Sequence, residues 1–303
     1  MPLEPLKTSA GPLATFRALA LLAIGFATLL FFNLIQIASV AMLPFSRGAA
    51  RRLNRWCADT WWGWCVGAAE LLYGVRIDIT GDEVPMRENA LLIVNHQQMP
   101  DIPALMKFAR TKDRLGDMKY FIKKEFKWLP GMGWGLQMLD SVFVDRSWTA
   151  DQDRIRRTFA RIVENRVPIY LVSFAEGTLL TAAKLEAARK YARDLGLPVP
   201  RHTLVPRTKG VLASIQGLRG HIDAVYDITI GYEGAVPSLW HYMKGLVRRI
   251  HVHVRRFPID DLPPAPDDLR QWLLDRWQEK DDLLDHFYAA GTFPKQQDFE
   301  PGS

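Results

Sequence analysis

The chain has 303 residues, is 48% hydrophobic and carries a formal charge of +6. That length supports one large domain or two small ones, and the basic excess suits an anionic partner. No zinc-finger spacing or other nucleic-acid signature is present, which favours a phosphate or a lipid surface over nucleic acid, and two cysteines, Cys57 and Cys65, make no disulfide framework.

Residues 1–16 read as a flexible leader. Residues 18–45 hold no charge and lie between Arg17 and Arg47. A bilayer core needs about 20 apolar residues, so this run is long enough to cross it. It is too long, and too far from a small-residue cleavage site, to be a secretory signal. Asn33, Gln36 and Ser39 interrupt its second half and leave a re-entrant course open. Arg47, Arg51, Arg52 and Arg55 follow at once, which sets the rest of the chain on the cytoplasmic side of a bacterial inner membrane or an endoplasmic reticulum. Residues 56–73 are rich in tryptophan and read as a second helix. It lies in the membrane interface or packs on the catalytic core.

From residue 74 the pattern alternates. Apolar runs at 75–80, 90–94, 118–122, 141–144, 168–174, 224–231 and 249–257 predict strands. Helices are expected at 102–110, 151–165, 182–195, 209–218 and 266–290, the last with Leu269, Trp272, Leu273, Leu283, Leu284 and Phe287 on one stripe. The fold expected is α/β, a mixed, mostly parallel central sheet flanked by helices, over residues 75–290. Membrane helices at 17–74 precede it and a loose tail at 291–303 follows.

The stretch from Ala90 to Asp101 is the most telling. A buried strand stops at Asn95-His96, and Pro100 fits the first turn of a helix that holds Asp101. On one continuous helix, residues five apart would point about 140° away from each other. A loop that turns back before the helix starts would let the Asp101 carboxylate hold one nitrogen of the His96 ring and leave the other as a base. A solvent-exposed loop histidine beside a capping aspartate is the plainer alternative.

Three more stretches carry candidate chemistry. Phe143-Val144-Asp145-Arg146 is a strand ending in a cation that can fork onto a phosphate. Phe174-Ala175-Glu176-Gly177-Thr178 ends a buried strand at an acid and a glycine that lets a backbone approach a ligand. Glu176 could bind a hydroxyl or position a cation. Leu204-Val205-Pro206-Arg207-Thr208-Lys209-Gly210 sets two cations at a helix start. Gly131-Met132-Gly133-Trp134-Gly135 matches neither a P-loop nor a dinucleotide fingerprint. His251 and His253 share one face of a strand without a third ligand, which reads as a solvent-facing surface rather than a metal site.

Together these stretches resemble the 1-acylglycerol-3-phosphate and lysophospholipid acyltransferases. That family shows Asn-His-four residues-Asp, a strand ending in Arg, Phe-Pro-Glu-Gly-Thr-Arg, and an apolar stretch with Pro, in this order. The Pro-Arg-Thr-Lys-Gly run and Ala224-Val225-Tyr226-Asp227 look most like the subgroup acting on lysophosphatidylinositol and lysocardiolipin. Two departures stand out: Ala175 replaces the usual Pro, and Leu179 the usual Arg, which removes one phosphate contact. The resemblance implies transfer of an acyl chain from acyl-CoA or acyl carrier protein to a lysophospholipid hydroxyl, without a further cofactor or metal. His96 and Asp101 would be catalytic. Asn95, Arg146, Glu176, Gly177, Thr178, Arg207 and Lys209 would hold the acceptor. The implied partners are membrane lipids and the thioester donor. A non-catalytic protein that binds anionic lipid is the alternative, though binding alone has no need of a His–Asp pair.

Overall fold

A computed structural model describes residues 4–144 and 148–294 of the chain. In chain order its elements are α1 (Pro12–Ala38), α2 (Arg47–Tyr73), β1 (Arg76–Gly81), β2 (Ala90–Val94), α3 (Asp101–Thr111), β3 (Met118–Lys123), α4 (Met132–Met138), β4 (Val142–Val144) and α5 (Trp148–Glu164). There follow β5 (Tyr170–Phe174), α6 (Ala182–Asp194), α7 (Thr208–Leu218), β6 (Ala224–Tyr232), α8 (Leu239–Met243), β7 (Arg249–Pro258) and α9 (Pro266–Ala290).

Among the described residues seven strands form one sheet in the order β1-β7-β6-β2-β5-β3-β4. β6, β2, β5, β3 and β4 are mutually parallel, β7 is antiparallel to β6, and β1 follows β7. The mixed sheet expected from the alternating runs is therefore present. Every residue of β2 and of β6 is buried, as strands covered on both faces require. One face packs Leu92, Val94, Tyr170 and Tyr226 against Phe108 of α3 and Trp62 of α2. The other packs Leu91, Ile93, Leu171 and Val225 against Phe159 of α5, Ile215 of α7 and Leu273 and Trp277 of α9. Because the five parallel strands point one way, their C-terminal ends share an edge. Loops leaving that edge bring residues distant in sequence together.

α1 is long and apolar enough to cross a membrane, and most of it faces outward: Leu13 is 71% and Phe16 70% exposed. Its polar interruptions point inward instead. Asn33, Gln36 and Ser39 are buried, Asn33 Nδ2 donates to Gln36 Oε1 at 3.1 Å, and Asn54 of α2 donates to Ser39 Oγ at 3.0 Å. Apolar surroundings charge heavily for a polar group left unbonded, so these three residues fix which face of α1 meets protein. Trp61 Nε1 adds bonds to Gly25 O and Thr28 Oγ1, at 3.3 and 3.2 Å.

Four expectations need correction. Residues 4–16 are not a loose leader: α1 begins at Pro12, and Leu6 N–H donates to Val236 O at 3.0 Å. α2 begins at Arg47 rather than at residue 56; it packs Cys57, Ala58, Trp62 and Val66 into protein, the second of the two positions expected for it, and keeps Trp56 and Trp64 exposed. Residues 291–294 are held where Phe293 stacks on Phe287 at 4.7 Å; residues 295–303 lie outside the described part. His251 and His253 are buried rather than solvent-facing, because Phe287 of α9 and Phe293 after it cover their rings. His251 Nε2 meets Glu233 at 2.7 Å and His253 Nδ1 meets Thr80 Oγ1 at 3.1 Å. Among the described residues no cluster of three or more His, Cys, Asp or Glu could hold a metal.

Candidate active site

β2 ends at Val94, and the chain then turns sharply at the sheet's C-terminal edge. Asn95 makes the turn possible. Its Nδ2 donates to Ile230 O at 3.0 Å and its Oδ1 accepts from Ile230 N–H at 2.8 Å, so its amide extends the β2–β6 ladder by one rung. With both polar ends taken and the residue 1% exposed, Asn95 holds the loop rather than a ligand, which corrects the substrate-binding role expected for it. Gln97 repeats the device, donating to Ile230 O at 2.8 Å and accepting from the Tyr288 hydroxyl of α9 at 3.0 Å.

The loop then folds back before α3 starts. Asp101 is the first residue of α3, and its Oδ2 accepts from His96 Nδ1 at 2.9 Å and from Gln98 N–H at 3.0 Å. Its Oδ1 accepts from the Tyr232 hydroxyl at 2.5 Å, at the end of β6. Asp101 is wholly buried, while the His96 side chain is 12% exposed. The ring lies stacked on Phe174, centroids 3.8 Å apart and planes 19° from parallel. Among the described residues Nε2 has no hydrogen-bond partner, and Nδ1 is committed to Asp101. The arrangement is a base with an oriented ring, a buried carboxylate behind it and a hydroxyl behind that. Burial, and then the nearby Asp101 charge, push the Tyr232 phenol well above its ordinary value, so Tyr232 stays a donor.

Glu176 closes the back of the site. It is 4% exposed, and burial pushes its carboxyl up to about 8, with the neighbouring Asp101 charge adding to the rise. Backbone N–H groups of Leu204 and His96, with the Lys280 ammonium, oppose that rise and do not overcome it. So placed, Glu176 sits between the His96 loop and the Leu204 loop, with Oε1 buried and without a hydrogen-bond partner among the described residues. The expectation that it reaches a substrate hydroxyl is corrected by its burial.

Gly177 has φ +68, a conformation that side chains rarely adopt, and a Cβ there would stand 2.9 Å from Arg207 Cδ. The Arg207 side chain lies against this glycine, and its backbone N–H donates to Ala175 O at 2.7 Å. The two motifs that supply Glu176 and Arg207 are therefore one surface. Thr178 accepts from Lys184 Nζ at 2.5 Å, and the same ammonium donates to Leu179 O at 3.0 Å. Leu180 N–H donates to His96 O at 2.9 Å, which joins this turn to the histidine loop. Lys209 is exposed in the first turn of α7. Arg146 lies outside the described residues.

Several contributors were missed in the sequence: Tyr232, Phe174, Lys184 and two residues of α9. Asp281 is buried and accepts from the N–H groups of Arg201, His202 and Thr203, at 2.8, 2.8 and 2.9 Å, which fixes the loop leading to Arg207. Lys280 is buried beside it, paired with Asp227 and donating to Ile228 O at 2.6 Å. Burial alone would raise the Asp227 carboxyl, but Lys280 and Arg255 outweigh that and hold it below its ordinary value. The signal was available: an adjacent Lys-Asp pair on the buried stripe of an amphipathic helix must find partners.

The acyltransferase family model matches residues 76–233, and an acyltransferase C-terminus model matches 241–303. The 1-acyl-sn-glycerol-3-phosphate acyltransferase 2 of Brassica oleracea is 34% identical over 273 residues, covering 88% of this chain and 70% of the relative. The human 1-acyl-sn-glycerol-3-phosphate acyltransferase gamma is 32% identical over 274 residues, covering 89% and 73%. Among solved structures, the 1-acyl-sn-glycerophosphate (LPA) acyltransferase PlsC from Thermotoga maritima matches with a TM-score of 0.54 at 13% identity, covering 86% of this chain and 90% of that one. That likeness is one of fold.

Proposed function

The chain belongs to the acyltransferase family that includes the 1-acyl-sn-glycerol-3-phosphate acyltransferases, and from that premise we propose that it acylates 1-acylglycerol-3-phosphate to phosphatidic acid. His96 Nε2 takes the proton of the acceptor hydroxyl. The oxygen attacks the thioester carbonyl of acyl-CoA or acyl carrier protein, the C–O bond forms, the C–S bond breaks, and the proton passes from His96 to the departing thiolate. Asp101 holds Nδ1 so that Nε2 is the nitrogen offered, and its charge supports the imidazolium formed between the two transfers. Arg207, whose side chain packs into the space that the absent Gly177 side chain leaves, holds the acceptor phosphate, with Thr178 and Lys209 nearby. The apolar helix α1 keeps the chain at the membrane that holds the acceptor, with the α/β domain on the cytoplasmic face.

The observation that carries this reading is the His96–Asp101–Tyr232 chain of hydrogen bonds at the sheet edge, its outer nitrogen unclaimed among the described residues. The test is transfer of labelled acyl-CoA to a panel of lysophospholipids by purified protein in lipid discs. His96→Ala should cost about 10²- to 10⁴-fold in kcat with folding and membrane attachment intact, the span expected for a lost general base. Near-native turnover by that variant refutes the assignment. Equal rates across the panel refute the choice of acceptor.

A further inference from the structure

Between β3 and α4 the chain makes a short outward segment, residues 123–132. It leaves the C-terminal end of β3, and β3 pairs with β5, which ends at the Glu176 turn. The segment therefore starts on the same edge as His96. Its apolar side chains point away from the protein. Trp128 is 76% exposed, Met132 51%, and Phe126 and Leu129 44% each. Lys123, Lys124 and Lys127, with one acid, Glu125, are interleaved with them, and the Lys127 ammonium lies 5.6 Å from the centre of the Trp128 ring.

This surface is continuous with α1. Gly131 has φ +83, and a Cβ there would stand 2.9 Å from Leu29 Cδ2 and 3.5 Å from Phe26. A Cβ on Gly135 would stand 3.3 Å from both Asn33 and Gln36. The glycines that matched no phosphate fingerprint are what let α4 press against α1. Phe26, half exposed on α1, borders the outward segment at that contact.

We propose that residues 123–132 form a second membrane-inserting element. In this arrangement Phe126, Trp128, Leu129 and Met132 sink to the acyl-chain boundary beside α1, and Lys123 and Lys127 hold anionic headgroups. Two features commit the surface to a lipid occupant. Its apolar side chains extend the exposed face of α1, and its lysines sit where snorkelling cations sit around aromatic anchors. Each lysine near an anionic surface strengthens attachment, and only while the lipid is charged. The arrangement brings the bilayer up to the edge that carries the candidate active site. It goes beyond the proposed reaction and is tested without measuring activity.

The experiment uses the full chain with Cys65→Ala; Cys57 is buried and stays. An environment-sensitive fluorophore is placed at Trp128→Cys, or at Met132→Cys should the first not fold. The control position is Glu164→Cys, exposed at the opposite end of the sheet. Protein is reconstituted in phosphatidylcholine vesicles with or without phosphatidylglycerol. The label at 128 should shift to the blue, be quenched by nitroxide lipids, and lose iodide quenching several-fold relative to position 164. Lys123→Glu/Lys127→Glu should reduce the nitroxide quenching in mixed vesicles to the level seen in phosphatidylcholine alone. A label at 128 that stays as open to iodide as the control overturns the proposal. So does protection from iodide that comes with energy transfer between labelled copies, since the surface would then meet a second chain.

Discussion

Tyr232→Phe removes one oxygen from the centre of the site and nothing else. The hydroxyl lost donates to Asp101 Oδ1 at 2.5 Å, and both residues are buried, at 1% and 0% exposed. Oδ2 keeps its two donors, His96 Nδ1 and Gln98 N–H, while Oδ1 is left without one. A hydrogen bond to a buried carboxylate contributes about 1.5–3 kcal/mol. The carboxylate then has reason to rotate toward another donor, and rotation takes Oδ2 from the line of the His96 ring. If about 1.5–2 kcal/mol of the loss falls on the transition state, kcat drops roughly 10–30-fold. KM for thioester and lysolipid should be unchanged, because Tyr232 touches neither and acts through Asp101. Thermal unfolding should move down as well, by about 2–4 °C for each kcal/mol lost from the folded state. Steady-state kinetics with each substrate varied in turn, beside a melting curve, separates the two effects. A folded variant with kcat within two-fold of the parent would mean that Asp101 does not aim His96, and the derivation of the base from this geometry would fail.

Two further outcomes follow from the turn after β5. Gly177→Ala forces a side chain into φ +68, at about 1–2 kcal/mol, and sets its methyl 2.9 Å from Arg207 Cδ. Displacing that guanidinium should raise KM for the lysophospholipid several-fold at saturating acyl-CoA, and an unchanged KM would detach Arg207 from phosphate binding. Glu176→Gln tests the buried carboxyl through pH. Its ordinary value is 4.5 and its folded value is about 8, so the folded chain holds this proton more tightly than the unfolded chain does. Its contribution to stability is therefore full below pH 4.5 and is lost as pH rises through about 8. The variant, neutral throughout, should show a shallower fall in melting temperature from pH 5 to pH 9. Parallel curves for parent and variant would contradict a protonated Glu176.

What the sequence makes legible is what short-range rules encode. An apolar run stopped by Asn95-His96 and a proline at position 100 fix a strand, a turn and a helix start, and with them the reach of Asp101. α4 was not legible, because glycines at 133 and 135 lower helix propensity by about 1 kcal/mol each. The contact with Asn33 and Gln36 that offsets this belongs to a helix a hundred residues earlier. Asn95 was misjudged for a related reason. A polar residue beside a histidine looks like a ligand group until the sheet order sets β6 next to β2, and only then does Ile230 claim both ends of the amide. Tyr232 and Asp281 likewise depend on long-range pairing. Each lies where apolar periodicity reads as core, and each becomes a site residue only through a pairing more than seventy residues distant. A polar group at a core position is the trace such pairings leave in a single sequence. Lys280-Asp281 on the stripe that also holds Leu273 and Leu284 is that trace in α9: two adjacent charges facing inward oblige the fold to supply an acid for one and donors for the other. The β6 carboxylate and the loop before Arg207 are the groups that meet that demand. The C-terminal helix is therefore part of the apparatus that shapes the site, although none of its residues bears a chemical motif.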